Sequence, residues 1–140
     1  MPKILIPVDT STNAQRAVRH AAKMALGNPS LQLHLLNVQE KIEPRIHAQL
    51  SHAEITSLQA AEAERILQPL GRILAEAGVP YRDEWRSGSI ASTIADYARE
   101  IACDAIVMGT RGMSAIGNLV LGSTATKVIH LASVPVTLVK

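Results

Sequence analysis

Two rhythms of apolar and polar residues alternate along this chain. Residues 4–8 (Ile4-Leu5-Ile6-Pro7-Val8) and 105–108 are almost continuously apolar. Runs of this length suit strands buried on both faces, as in a parallel sheet. Residues 31–38, 79–85 and 134–139 complete a set of five predicted strands. Between the strands, apolar residues recur three or four apart, the period of a helix with one face on a core. Ala14, Ala17, Val18, Ala21 and Ala25 mark the first such stretch. Leu67, Leu70, Leu74 and Ala77 mark the second, and Ile90, Ile94, Tyr97, Ala98 and Ile101 the third; residues 123–131 form the fourth.

Turn and cap chemistry punctuates these segments. Asp9-Thr10-Ser11-Thr12 precedes the first helix, and Thr12 with Gln15 has the spacing of a capping box. Gly27 before Asn28-Pro29 reads as that helix's stop. Ser51 and Glu54 form a second capping box, opening a long helix towards Ala77, which Gly78 ends. Pro69 falls inside it and is expected to kink or split it. Ser87-Gly88-Ser89 is a turn. The polar stretch 39–50 reads as the longest loop, a candidate flap or lid. Strands alternating with helices imply a parallel sheet with helices on both faces, and right-handed crossovers make it doubly wound.

Composition narrows the function classes. With 140 residues, 47% of them apolar, the chain has the size and core of one domain, residues 1–140. Its net charge is +2, with basic residues scattered along the sequence, and its aromatics are Tyr81, Trp85 and Tyr97, with no Phe. Neither a concentrated basic face nor a set of stacking rings is present, which argues against nucleic-acid binding. Cys103 is the one cysteine, flanked by Ile101, Ala102 and Ile106, and reads as a buried structural thiol. Met1-Pro2-Lys3 leads straight into a strand, without a signal-peptide stretch, and no segment approaches the ~20 apolar residues of a membrane span. The expectation is a cytoplasmic protein with no membrane insertion. His20, His34, His47, His52 and His130 include no i, i+4 pair, so they do not suggest a zinc helix. No G-x-S-x-G elbow supports a hydrolase triad.

The segment from Gly109 to Thr124 carries the chemistry. It follows a buried strand and opens a helix, where main-chain N–H groups and a partial positive charge suit phosphate. Glycines allow close backbone approach. Ser123 can offer its hydroxyl to a ligand or cap the helix. Gly117-x4-Gly122 resembles half of a P-loop, but Ser123 stands where that loop needs Lys. No G-x-G-x-x-G follows the first strand either.

The spacing Gly109-x2-Gly112-x9-Gly122-Ser123 resembles the G-x2-G-x9-G-[S/T] signature of ATP-binding universal stress proteins. Ile6-Pro7-Val8-Asp9, Asn37-Val38, Asp104-Ala105-Ile106-Val107-Met108-Gly109 and Val134-Pro135-Val136-Thr137-Leu138-Val139 extend the resemblance across the chain. Ser87-Gly88-Ser89 and Pro69 are local departures from it. The resemblance implies a Rossmann-like adenine nucleotide-binding fold with strand order 3-2-1-4-5, which sets Asp9 beside the glycine segment. It implies that Pro7, Val8, Asp9 and Val38 flank adenine and ribose. Gly109, Gly112, Gly122, Ser123 and Thr124 would then hold ribose and phosphates of ATP, ADP or AMP. Asp9 either caps the first helix or helps hold Mg2+ or Mn2+ on the phosphates. Arg111 either clamps phosphate or is solvated, and Lys127 reads as a surface lysine. Dimerisation is expected through residues 134–139, where Val134, Val136 and Leu138 alternate with Pro135, Thr137 and Val139 on an apolar edge.

Three functions compete. The first is a nucleotide-dependent regulatory module for a stress response. The second is a slow ATPase or nucleotidyl-transferring enzyme, although Asp9-Thr10-Ser11-Thr12-Asn13 does not match the S-G-G-x-D-S loop of adenylating relatives. The third is a structural dimer that does not bind nucleotide.

Overall fold

The structure, a computed structural model, describes residues 1–41, 49–110 and 121–140. Among these residues, five strands alternate with four helices: β1 (Lys3–Pro7), α1 (Thr12–Gly27), β2 (Gln32–Gln39), α2 (His52–Glu76), β3 (Tyr81–Ser87), α3 (Ile90–Glu100), β4 (Ala105–Gly109), α4 (Ser123–Leu131) and β5 (Val136–Val139). The strands form one parallel sheet in the order β3-β2-β1-β4-β5. This is the doubly wound arrangement expected from the sequence.

Each central strand feeds two cores because successive side chains point to opposite faces. Ile4, Ile6, Leu33, Leu35 and Val107 pack with the buried stripes of α1 and α2. Leu5, Leu36, Ile106 and Met108 pack with those of α3 and α4. That two-sided burial explains why β1 and β4 are apolar without alternation.

Element ends differ from the sequence expectation where caps and prolines intervene. α1 is capped by Ser11, whose Oγ accepts the Ala14 N–H at 3.1 Å, and not by Thr12 with Gln15. The chain turns one residue sooner because the Asp9 carboxylate accepts the Ser11 N–H at 2.8 Å. Ser51 caps α2 as expected, accepting from the Glu54 N–H at 3.1 Å and donating to its carboxylate at 3.2 Å. α2 runs unbroken through Pro69. Pro69 and Arg65 both lie on its exposed side, where a carbonyl without a helical partner can meet water, while Leu67, Leu70 and Leu74 anchor the buried side.

β3 begins two residues later than expected. Gly78, at φ +74°, and Val79 are used to close α2: Gly78 N–H donates to Ala75 and Val79 N–H to Leu74, a Schellman pair. β5 begins at Val136 because Pro135 has no N–H to give, although its carbonyl accepts from Ile106 at 2.9 Å. The flap expected within 39–50 falls largely outside the described residues. No helix among the described residues is long and apolar enough to cross a membrane.

Candidate functional site

β1 and β4 are neighbours in the sheet, yet the chain leaves β1 for β2 on one side and β4 for β5 on the other. This is the switch point at which open α/β sheets form a crevice beyond the carboxyl ends of their strands. A crevice of about 570 Å3, its open mouth included, lies there. Pro7, Val8 and Asp9 come from the end of β1, Leu36 and Val38 from β2, and Met108, Gly109 and Thr110 from β4. Ser11, the cap of α1, with Ala14 of α1, Ile90 and Ile94 of α3, and Thr124 and Ala125 of α4 complete the lining.

The chemistry is divided across the crevice. Leu36, Val38, Ile90, Ile94 and Met108 make an apolar slot. Asp9, Ser11, Thr110 and Thr124 supply polar groups, and Asp9 is the one charged side chain among the described lining residues. One oxygen of Asp9 is held by the Ser11 N–H, so Asp9 sets the turn before α1 and does not cap it.

The start of α4 differs from that of α1. Its N-cap is Gly122, which has no side chain to offer, and no side-chain cap bond is made. Ser123 is therefore the first helical residue, and the reading of Ser123 as the cap is corrected. The first three N–H groups of a helix have no partner within it; here they belong to Ser123, Thr124 and Ala125. The first intrahelical bond runs from the Thr126 N–H to the Gly122 carbonyl at 3.1 Å.

Thr110 fixes this helix start to the sheet. Its carbonyl accepts the Gly122 N–H at 2.6 Å and its own N–H donates to the Val139 carbonyl at 3.0 Å. Its buried hydroxyl accepts from Asn13 Nδ2 at 3.4 Å. The base of the glycine segment is thus pinned to β4, β5 and α1 together.

Among the residues expected from the sequence, Pro7, Val8, Asp9, Val38, Gly109 and Thr124 are brought together in the crevice lining. Gly122 and Ser123 stand beside it as the cap and first residue of α4. Arg111 and Gly112 lie outside the described residues. Lys127 is exposed on α4. Cys103 is 5% exposed, and burial pushes its thiol pKa up, with the Asp104 charge acting in the same direction. Sequence reasoning missed Ile90, Ile94 and Met108, which merge with the core stripes. It also gave no role to Asn37, whose signal was a polar residue in an apolar strand.

The universal stress protein family model matches residues 1–140. The chain is 31% identical over 138 residues to universal stress protein MJ0531 of Methanocaldococcus jannaschii, covering 99% of this chain and 81% of that protein. It is 30% identical over 141 residues to a universal stress protein of Mycolicibacterium smegmatis, covering 97% of this chain and 47% of that protein, so it spans about half that relative's length. Universal stress protein UspA from Lactobacillus plantarum superposes with a TM-score of 0.84 at 27% identity, covering 99% of this chain and 97% of that one. Two more distant structures share the fold. One is the Archaeoglobus fulgidus universal stress protein in complex with dAMP (24% identity, TM-score 0.69, covering 100% and 98%). The other is an Arabidopsis thaliana family protein with AMP bound (19% identity, TM-score 0.72, covering 100% and 92%). With the family match running the length of a sheet in the order 3-2-1-4-5, this chain belongs to the universal stress protein family.

Proposed function

We propose that residues 1–140 form one universal stress protein domain that binds an adenine nucleotide in the β1–β4 crevice and acts as a dimeric regulatory module. One observation carries this reading: an apolar slot opens beside a helix start that lacks a side-chain cap. The faces of a purine suit Leu36, Val38, Ile94 and Met108. A phosphate suits the N–H groups of Ser123 and Thr124 and the positive end of the α4 dipole. The dAMP and AMP held by two proteins of this fold support the choice of adenine. Asp9 at the rim would repel a bare triphosphate, so ATP would enter with Mg2+ or Mn2+ between them. A single carboxylate is enough for a cation that keeps most of its waters.

The two edges of the sheet support pairing through β5. The β3 edge carries Arg82, Asp83, Glu84 and Arg86, charges that discourage strand addition. β5 has no charged residue, and Ile129 and Leu131 of the preceding helix are 42% and 47% exposed. Sedimentation equilibrium should give twice the chain mass; monomer alone at high concentration would contradict dimerisation.

Isothermal titration with AMP, and with ATP plus Mg2+, tests nucleotide binding. Saturable heat and a rise in Tm are expected. No heat and no Tm shift at millimolar nucleotide would defeat the proposal.

A further inference from the structure

β1 and β2 run in register as far as the pair Pro7 and Leu36, so the next pair would be Val8 with Asn37. In a continuing parallel ladder, Val8 would donate its N–H to the Leu36 carbonyl and accept the Val38 N–H on its own carbonyl. The first bond is made, at 2.8 Å. In place of the second, the Val8 carbonyl accepts from the Asn37 side chain, Nδ2, at 2.9 Å. Asn37 is 3% exposed, and its Oδ1 is fixed in turn by Gln39 Nε2 at 2.6 Å. The Gln39 carbonyl accepts the Gly88 N–H at 3.0 Å, at the turn that leads into α3. A buried amide therefore ends the ladder at the mouth of the crevice, between two of its lining residues, Val8 and Val38.

Packing alone does not call for this residue. Asn37 lies on the same face of β2 as Leu33 and Leu35, where a leucine would suit the apolar surroundings. A buried amide is costly unless its hydrogen bonds are made, and here both ends are engaged.

We infer that Asn37 is a positioning residue: by holding the Val8 carbonyl on its side chain and out of the ladder, it leaves the Val38 N–H as a main-chain donor without a partner among the described residues at the crevice. An acceptor atom of the ligand, such as a ring nitrogen of a base, would take that donor. The identity of the ligand rests on the nucleotide reading above; the geometry does not.

Amide hydrogen exchange on the free protein separates the two. The Val38 amide should exchange much faster than the other β2 amides in the wild type. In Asn37→Leu the Val8 carbonyl loses its side-chain partner, and the Val38 amide should become protected as the ladder closes. A Val38 amide as protected in the wild type as its β2 neighbours overturns the inference, whether or not nucleotide binds.

Titration with AMP supplies the second arm. Asn37→Leu should weaken AMP binding about five- to tenfold, the worth of one hydrogen bond, with Tm little changed. Asn37→His, which can donate from Nδ1 at nearly the same place, should restore binding. Leu74→Ala, in the core beneath α1 and α2 and outside the crevice lining, should lower Tm and leave AMP affinity intact. Wild-type affinity in Asn37→Leu overturns the positioning role. A wild type that does not bind AMP defeats the nucleotide proposal instead, and the exchange data still decide the role of Asn37.

Discussion

The backbone of Gly109 lies against Asn13 at the start of α1. A β-carbon placed on Gly109 would fall 2.7 Å from the Asn13 Cβ and 3.0 Å from its main-chain carbonyl. The first glycine of the signature is therefore needed for helix–strand packing, whatever the crevice holds. Gly109→Ala must push α1 away from β4. It should destabilise the protein by about 1–3 kcal/mol, as overpacking does, measured by urea unfolding without ligand. Unchanged stability would show that α1 yields freely there.

Ala102 follows α3 in the left-handed region, at φ +51°. It closes the helix with the same bond pair that Gly78 makes for α2: Ala102 N–H to Arg99, and Cys103 N–H to Ala98. A side chain costs energy in this conformation, and Ala102 is exposed, so its methyl contributes no core packing. Ala102→Gly should raise stability by about 0.5–1 kcal/mol, visible as a higher midpoint in urea. A lower midpoint would contradict this.

These two positions show what could be read before the fold was known. The β-α alternation and both cores were legible, because burial on one or two faces writes itself into the spacing of Ile, Leu and Val. The exchange of Ser11 for Thr12 as the cap was not legible, since both hydroxyl residues fit and only the Asp9 turn decides between them. The crevice was half legible. Its polar rim stands out from the loop chemistry around Asp9 and Gly122, whereas Ile90, Ile94 and Met108 look like any other core residues until the sheet order places them at an opening. The ladder break at Val8 depends on a side-chain-to-backbone bond across two strands, which local sequence does not encode.

His34 sits buried on β2, and its pKa is lowered by burial first, then by the charges of Lys3 and Arg82. The unfolded chain, with His near its ordinary value of about 6.5, therefore binds a proton that the folded protein resists. The stability contributed by neutral His34 is complete above that value and is lost as pH falls through it. Urea midpoints between pH 7.5 and 5 should drop more steeply in the wild type than in His34→Leu. Parallel curves would remove His34 as the cause.

On the proposed reading, Asp9 should make ATP binding sensitive to divalent cations. Removing Mg2+ with EDTA should weaken ATP binding by about tenfold or more, a charge repulsion of roughly 1–2 kcal/mol, while AMP binding changes little. In Asp9→Asn the amide oxygen can still accept the Ser11 N–H, and the difference between EDTA and Mg2+ should shrink sharply. Calorimetry with both ligands reads this directly, and an EDTA effect of full size in Asp9→Asn would place the cation elsewhere.

The most direct measurement is an NMR titration of 15N-labelled protein with AMP and, separately, with adenosine. Both ligands should shift the amides around the apolar slot, at Val8, Val38 and Ile94. AMP alone should produce large shifts at the Ser123 and Thr124 amides, because only AMP carries the phosphate those groups would hold. Ser123 and Thr124 unmoved at saturating AMP, or moved equally by adenosine, would contradict the assignment of the start of α4 as the phosphate site.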